Sequence, residues 1–278
     1  MSFCEIHFLS ETTSQNVSAA VFLPEGGPFG TDAKPPYKTV YFLPGYSGDY
    51  TSIYTMLSIR KQAECKGLAI VIPNGQNAFY IDHPERNASY SKFIGVELVN
   101  RTRQMFRLSE KREDTYIAGI SMGGYGALVN GLLYRDVFSK IAALSPATDP
   151  MELLDDPTKG GFGINEFQNM FTSRTVYENS PWNITKRYAE VDHAELPSLF
   201  IGCGDHDIAV YHQVSTFCKM LKQQDIPFSW WSNDGNHDID TWEQMFDPAF
   251  SFLAGIKEGT RNSLAIPKSS DIREAIVK

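Results

Sequence analysis

The stretch Thr115–Leu128, TYIAGISMGGYGAL, joins an apolar run to a cluster of glycines that encloses one serine. The run TYIA is rich in β-branched and aromatic residues, as buried strands are, and the segment MGGYGALVNGLLY predicts a helix directly after the cluster. Gly119, Ser121 and Gly123 match G-x-S-x-G, in which a sharp turn between a strand and a helix exposes the serine hydroxyl. The stretch therefore predicts a strand–turn–helix unit with Ser121 as a candidate nucleophile. The alternative is a glycine-rich turn whose serine has no chemical role.

The rest of the chain repeats this alternation of short apolar runs and longer segments with helical spacing. The predicted strands are 19–24, 39–45, 68–75, 115–119, 140–146, 198–204 and 228–232, and the predicted helices are 50–64, 93–106, 122–134, 208–222 and 239–253. Several of the strands are nearly continuous apolar runs, which suit strands buried on both faces of a parallel sheet. Strand–helix units repeated about five times predict a doubly wound, mostly parallel central sheet with helices on both faces.

One region interrupts the alternation. Residues 147–196 contain no strand pattern but several aromatic residues, and the alternation resumes at Ser198. We therefore interpret 147–196 as a small cap-like insertion over the active site of a single domain, 1–278. The polar residues 256–278 are predicted to form a C-terminal tail, with a short helix at 270–277.

Composition limits the classes of partner. The chain has 278 residues and a formal net charge of −8. An acidic chain argues against nucleic acid, whose phosphates need a basic surface, and against electrostatic attachment to anionic membranes. We expect no membrane partner, because no apolar run approaches the ~20 residues of a membrane span.

The N-terminus and the cysteines bear on location. The segment MSFCEIHFLSETT lacks the basic and apolar regions of a signal peptide, and the four cysteines form no CxxC pair. Free thiols are typical of a reducing compartment, so we expect a cytoplasmic protein. The sequence does not indicate the oligomeric state.

Motifs for bound cofactors are missing from the sequence. There is no HExxH, DHD alone is a weak set of metal ligands, and GISMGGYG lacks the Gly-Lys-Ser/Thr ending of a phosphate-binding loop. We expect neither a metal nor another cofactor.

A nucleophilic serine needs a base, and the base needs an orienting carboxylate. In the α/β-hydrolase fold these follow in the order Ser, acid, His, on loops after later strands. His237, in the loop SNDGNHDIDTW between the last predicted strand and the last predicted helix, occupies the expected place. The acid should follow the strand SLFIGCG, where Asp205 and Asp207 both stand, and the spacing does not choose between them. His206 is an alternative base, disfavoured because it shares a tight turn with the acid.

Two backbone N–H groups are needed to stabilise the oxyanion of an acyl-transfer reaction. One is expected from Met122, the residue after the nucleophile. The other is expected from the loop FLPGYSGDY, which follows an early strand and in which Gly45 allows the backbone to turn. We predict Tyr46 N–H as this second donor.

With these motifs the chain resembles the esterase D-like "putative esterase" family of α/β-hydrolases. The resemblance runs from about Phe8 to Leu253 and is strongest to the small bacterial tributyrin esterases. The family also contains S-formylglutathione hydrolases and feruloyl and acetylxylan esterases. The matching blocks are FLSETTSQNVSAAVFLPE, which resembles the family's opening hairpin, YFLPGYSGDY, VIPNGQNAFYID, REDTYIAGISMGGYGAL, CGDHDIAV and NDGNHDIDTWEQ.

The resemblance implies roles for individual residues. Ser121 is the implied nucleophile, His237 the base, and Asp207 rather than Asp205 the acid. The implied substrate-binding residues are Gly45, Phe79, Tyr80 and Trp182. The chain departs from the family at Pro44, where a histidine is common, and this departure bears on the geometry of the loop that carries Tyr46.

Together these observations predict a serine carboxylesterase that hydrolyses short-chain acyl esters through an acyl-enzyme intermediate. Acetyl and feruloyl esters of carbohydrates are among the expected small-molecule substrates. Two alternatives stay open: a thioesterase like S-formylglutathione hydrolase, which shares the triad, and a non-catalytic binding protein on a hydrolase scaffold.

Overall fold

The computed structural model describes residues 1–26, 31–83, 88–155, 171 and 173–259. Within them the strands are β1 Ser2–Ser10, β2 Gln15–Leu23, β3 Thr39–Leu43, β4 Ala69–Pro73, β5 Asp82–His83, β6 Ala88–Ser89, β7 Thr115–Ile120, β8 Lys140–Leu144, β9 Ser198–Gly204 and β10 Phe228–Asn233. The helices are α1 Tyr50–Met56, α2 Ile59–Lys66, α3 Tyr90–Lys92, α4 Leu98–Met105, α5 Met122–Leu133, α6 Pro150–Asp155, α7 Arg174–Glu178, α8 Ile184–Glu190, α9 Tyr211–Gln223 and α10 Ile239–Ala254. A π-helical turn, Phe93–Glu97, joins α3 to α4.

The central sheet has eight strands in the order β1-β2-β4-β3-β7-β8-β9-β10. The strands β1 and β2 form an antiparallel hairpin, and β2 runs antiparallel to β4. All other neighbours, from β4 to β10, are parallel. The predicted mostly parallel sheet is confirmed, and so is the opening hairpin that the family resemblance implied.

Helices cover both faces of the sheet because successive side chains of its inner strands point to opposite faces. In β3, Tyr41 and Leu43 join one apolar core, whereas Val40 and Phe42 join the other. The first core is completed by residues of α4, α5, α8 and α9, and the second by residues of α1, α2 and α10. The nucleophile turn after β7 therefore lies between two packed layers.

Several predicted helices have different bounds in the structure. The helix predicted over 50–64 is divided into α1 and α2, because Leu57 is extended and the Ser58 N–H donates to Glu243 Oε2 on α10 at 2.8 Å. The helix predicted from residue 208 begins at Tyr211. The short hairpin of β5 and β6 was not predicted, since two-residue strands carry no periodic pattern.

The region 147–196 contains the helices α6, α7 and α8 and no strand among its described residues. It packs against α5, where the Tyr188 hydroxyl donates to Leu128 O at 3.1 Å. Phe162 and Phe167 of this region lie outside the described residues, as does the helix predicted at 270–277. The division into one domain, insertion and tail stays a prediction.

No helix in the described part of the chain combines the length and the apolar character needed to cross a membrane.

Candidate active site

Ser121 stands on the turn between β7 and α5 in a strained backbone conformation, with φ 54° and ψ −118°. Few residues other than glycine adopt such a positive φ, and the surrounding structure must hold it. The Ser121 N–H donates to Leu144 O at 2.8 Å, and Ser121 O accepts from the Tyr125 N–H at 3.0 Å. The backbone on both sides of the serine is thus anchored, to β8 and to the first turn of α5.

The two glycines of the motif are required by close contacts of this turn. A Cβ on Gly119 would lie 2.3 Å from Gly123 O, and one on Gly123 would lie 1.9 Å from Leu43 O. Both distances are far below a van der Waals contact with backbone atoms. The G-x-S-x-G spacing is therefore required by the close approach of β3, β7 and α5 around Ser121.

The His237 imidazole lies between Ser121 and Asp207. Its Nε2 is 2.9 Å from Ser121 Oγ, and its Nδ1 is 2.7 Å from Asp207 Oδ2. The Asp207 side chain is fully buried, and that of His237 is only 13% exposed. A buried carboxylate on Nδ1 selects the tautomer whose Nε2 accepts the serine proton.

Asp207 is held by the turn that follows β9. Its Oδ1 accepts from the N–H groups of Ala209 and Val210 at 3.1 and 3.0 Å. The Cys203 thiol lies 3.9 Å from Asp207 Oδ2. Burial, together with the charge of Asp207, raises the pKa of this thiol, which therefore stays protonated and acts only as a weak donor. The carboxylate thus has donors for both oxygens without contact with bulk water.

The two competing residues of the same turn, Asp205 and His206, are both exposed. Asp205 is exposed, and His206 Nε2 pairs with the exposed Asp234 at 2.6 Å. The structure brings Asp207, and not Asp205, against His237.

The loop that carries His237 passes close to the end of β9. A Cβ on Gly204 would lie 2.3 Å from Gly235 O. Beyond the loop, Asp238 caps α10 by accepting from the Thr241 N–H at 2.9 Å. The Trp242 ring meets the His237 ring edge to face, with centroids 5.1 Å apart. These contacts orient the imidazole toward Ser121.

The two predicted oxyanion donors belong to segments that meet at Ser121. Met122 is the first residue of α5, where backbone N–H groups have no partner within the helix. A Cβ on Gly45 would lie 3.5 Å from Ser121 Cβ, so the loop after β3 runs directly beside the serine. Tyr46 lines the same cavity as Ser121.

A cavity of about 330 Å³ opens beside Ser121 and His237. It lies between the loop after β3, the helix α1 and the start of α10. Its lining residues are Gly45, Tyr46, Ser47, Gly48, Ser52, Ile53, Met56, Leu57, Ile120, Ser121, His237, Ile239 and Trp242. The ionisable groups among these residues are the His237 imidazole and the Tyr46 phenol. The lining therefore offers a ligand mostly apolar and uncharged polar contacts.

Three of the four predicted substrate contacts do not line this cavity. Gly45 does, but Phe79 and Tyr80 are buried, with 2% and 0% exposure, and we correct their assignment for that reason. Tyr80 instead donates to Pro44 O at 2.8 Å. Trp182 is partly buried elsewhere, where its carbonyl accepts from the Tyr125 hydroxyl at 2.7 Å.

Sequence reasoning missed the apolar residues that do line the cavity. Ile53 and Met56 come from α1, Leu57 follows it directly, and Ile239 and Trp242 come from α10. Their helices were predicted, but periodicity shows only which residues are apolar and not which of them meet a serine far away in the chain.

No group of three or more side chains able to hold a metal ion occurs in the described ranges. The expected absence of a cofactor stays a prediction.

Comparisons with known proteins identify a matching family and similar proteins. The family described as "Putative esterase" matches residues 10–253. An acetyl esterase of Caldicellulosiruptor saccharolyticus is 29% identical over 267 residues, which cover 93% of this chain and all of that protein.

Two solved structures from Staphylococcus aureus are also similar. The substrate-bound fluorophosphonate-binding serine hydrolase F has a TM-score of 0.77, and an S-formylglutathione hydrolase without ligand has a TM-score of 0.76. Each is 29% identical, and each comparison covers 91% of this chain and 98% of the other.

Proposed function

The chain belongs to the putative esterase family and is a carboxylic ester hydrolase, and on this premise we propose that it is a serine esterase acting on short-chain acyl esters through an acyl-enzyme intermediate. The observation that carries the proposal is the pair of hydrogen bonds that joins Asp207 to His237 and His237 to Ser121. A base within hydrogen-bond reach of the hydroxyl, itself oriented by a third group, is the geometry that activates a serine.

In the first half-reaction His237 Nε2 takes the hydroxyl proton while Ser121 Oγ attacks the ester carbonyl carbon. The carbonyl oxygen becomes an oxyanion, stabilised by the N–H groups of Met122 and Tyr46. The imidazolium is stabilised by Asp207, whose Oδ2 accepts from Nδ1. The bond to the alcohol then breaks, His237 protonates the leaving oxygen, and the acyl group stays on Ser121.

In the second half-reaction water takes the place of the alcohol. His237 Nε2 removes one proton from the water as its oxygen attacks the acyl carbon. The second tetrahedral intermediate collapses, the bond to Ser121 Oγ breaks, and the proton returns to Oγ. The products are a carboxylic acid and the free enzyme.

The cavity supports neutral short-chain esters as substrates. Its volume of about 330 Å³ is at the lower end of small-molecule sites. Its lining has no lysine or arginine, whereas the glutathione of S-formylglutathione carries carboxylates that such side chains would bind. An acetyl esterase among the relatives favours the same substrate class. We propose acetyl and similar short esters, including those of carbohydrates.

The test is Ser121→Ala, assayed on nitrophenyl acetate and butyrate, with Ser215→Ala on α9 as a control remote from the site. Because triad members act as a unit, kcat should fall about 10³-fold or more in the first variant and stay unchanged in the second. A fluorophosphonate should label the wild type and not Ser121→Ala. Undiminished turnover by Ser121→Ala would contradict the proposal, and a wild type that is neither active nor labelled would favour the non-catalytic alternative.

A substrate panel then separates the two enzyme classes. We expect kcat/KM for nitrophenyl acetate to exceed that for S-formylglutathione and for a feruloyl ester. A reversed preference for S-formylglutathione would replace the short-chain ester with a thioester as substrate while leaving the triad in place. The cytoplasmic location inferred from the sequence stays a prediction.

A further inference from the structure

The loop that carries the proposed second oxyanion donor is hydrogen-bonded to the loop 74–80, which follows β4. On the N-terminal side of Gly45, Pro44 O accepts from the Tyr80 hydroxyl at 2.8 Å. On the C-terminal side of Tyr46, the Ser47 N–H donates to Asn77 Oδ1 at 2.7 Å. The Gly45–Tyr46 peptide is therefore bracketed by two hydrogen bonds to the same loop.

A third bond extends this contact to the following helix. The Tyr50 N–H, in the first turn of α1, donates to Asn74 Oδ1 at 3.3 Å. The carboxamides of Asn74 and Asn77 and the phenol of Tyr80 thus all act on the segment 44–50. Tyr80 is fully buried, so water competes weakly for its bond to Pro44, whereas the bond between Ser47 and Asn77 lies at an exposed position.

The loop 74–80 is itself held in an unusual backbone conformation. Its residues Gln76, Asn77, Phe79 and Tyr80 all have positive φ, between 48° and 57°. Residues other than glycine reach this region at a cost, and strained residues of this kind persist only when their surroundings hold them. Their concentration in a loop that is bonded to the segment 44–50 indicates that the surrounding contacts hold this loop in place.

The position of Tyr80 is fixed on three sides. A Cβ on Gly75 would lie 2.2 Å from the Tyr80 hydroxyl, and one on Gly126 would lie 2.4 Å from its ring. The Asn130 carboxamide on α5 donates to Tyr80 O at 3.0 Å. Because α5 begins directly after Ser121, one helix positions both the nucleophile and the tyrosine that holds the loop opposite it.

From this geometry we propose that Tyr80 and Asn77 are positioning residues that hold the Gly45–Tyr46 peptide against the oxyanion formed at Ser121. The inference rests on the proposed function of the same site. Oxyanion stabilisation depends on donors that are already in place when charge develops. A loop freed from Tyr80 and Asn77 would lose that arrangement, and such displacements cost more in kcat than in substrate binding.

The first experiment is Tyr80→Phe, which keeps the ring and removes only the hydroxyl. We expect kcat on nitrophenyl acetate to fall about tenfold or more with KM changed less than about threefold, and the rate of fluorophosphonate labelling to fall in parallel. The matched control is Tyr41→Phe, which removes another fully buried phenol, bonded to Thr102 at 2.8 Å. It should lower thermal stability to a similar extent and leave kcat unchanged.

The second experiment separates the Asn77 hydrogen bond from its backbone conformation. Asn77→Gly tolerates the positive φ but loses the acceptor, whereas Asn77→Asp keeps an acceptor for the Ser47 N–H. We expect a fall in kcat for the glycine variant and recovery in the aspartate variant. Asp225→Gly, at a remote exposed residue with φ 54°, is the control for a glycine at such a position.

The outcomes are distinct. If Tyr80→Phe and Asn77→Gly match the wild type in kcat and in labelling rate, the positioning inference is overturned while the proposed function stands. The inference is overturned equally if Tyr41→Phe loses kcat as Tyr80→Phe does, since a general loss of stability then explains both. If Ser121→Ala retains activity, it is the proposed function that fails.

Discussion

At the scale of single residues, Gly123 lies so close to Leu43 O that no residue with a Cβ fits at this position, two residues after the serine. The carbonyl belongs to a central strand and Gly123 to the first turn of α5, so neither atom can move without its element. The consequence is a site whose geometry is set by backbone packing before any substrate arrives.

Gly123→Ala should therefore destabilise the protein and impair the site together. A Cβ placed 1.9 Å from Leu43 O forces the elbow apart, and we expect a loss of about 1–3 kcal/mol in the free energy of unfolding, as for overpacked cores. Thermal denaturation and kcat on nitrophenyl acetate measure the two effects. Gly202→Ala on β9 is the control, since its Cβ would lie 3.0 Å from Met245 Sδ, which is part of a flexible side chain. Equal stability of Gly123→Ala and the wild type would contradict the account.

Single substitutions can also show which of the two aspartates, Asp205 or Asp207, is the acid that orients His237. Asp207→Asn should lower kcat on the order of 10³–10⁴-fold, because an amide donor at Oδ2 favours the wrong imidazole tautomer. Asp205→Asn, two residues away and exposed, is the matched control and should leave kcat unchanged. Steady-state kinetics on nitrophenyl acetate compare the two, and a larger defect in Asp205→Asn would exclude Asp207 as the acid.

At the scale of elements, α1 and α10 form the wall of the cavity. Met56 is 59% exposed and Ile239 is 39% exposed, although both line the cavity beside Ser121. Apolar side chains left partly in water at a concave site are available to contact a ligand. We infer that these two helices limit the size of the group that enters.

Met56→Trp should therefore shift the preference toward shorter esters. A larger ring at this position narrows the cavity, and we expect kcat/KM for nitrophenyl octanoate to fall about tenfold while that for the acetate changes less than about threefold. Leu9→Trp on β1 is the control at similar exposure, 63%, and should change neither value. A proportional fall with both esters in Met56→Trp would show that the residue does not select chain length.

At the scale of the whole molecule, one carboxylate ties the turn of the opening hairpin to the body of the protein. Glu97 accepts from Ser10 Oγ at 2.7 Å, from the N–H groups of Glu11 and Thr12 at 2.9 and 3.1 Å, and from the Thr12 hydroxyl. Burial by itself would raise the pKa of Glu97, but the four hydrogen bonds outweigh it and lower the pKa below 4.5.

This lowered pKa makes part of the stability depend on pH. A carboxyl with a lower pKa in the folded than in the unfolded state contributes stability that is complete above the unfolded pKa and is lost as the pH falls through the folded pKa. Glu97→Gln should thus lower the melting temperature at pH 7, and the difference from the wild type should shrink as the pH falls below 4.5, the ordinary pKa of a glutamate, and through the lower pKa of the folded state. Thermal denaturation across this pH range measures the difference in melting temperature. The control is Glu64→Gln, which removes a glutamate whose partner is the N-terminal amine at 3.8 Å. A difference that does not vary with pH would refute the assignment.

Much of the molecule could be predicted because its signals are local. The strands of the parallel sheet are continuous apolar runs, and the turn at Ser121 needs glycines at fixed offsets, so both are visible in the sequence. The order of serine, acid and histidine follows from the order of strands. The spacing could not show whether Asp205 or Asp207 is the acid, because both lie in the same turn. The path of the backbone in that turn decides which of the two side chains meets His237.

The remaining features depend on contacts between segments far apart in the chain. The sequence by itself determined the sheet, the strained turn and the candidate residues Ser121 and His237, since strand periodicity and backbone sterics act over a few neighbouring residues. Only the tertiary structure decided that Tyr80 supports Pro44 and that α1 and α10 enclose the cavity. The sequence around an aromatic residue is the same whether its side chain supports a loop from the interior or contacts a substrate. The packing of distant elements decides whether that side chain is buried or exposed.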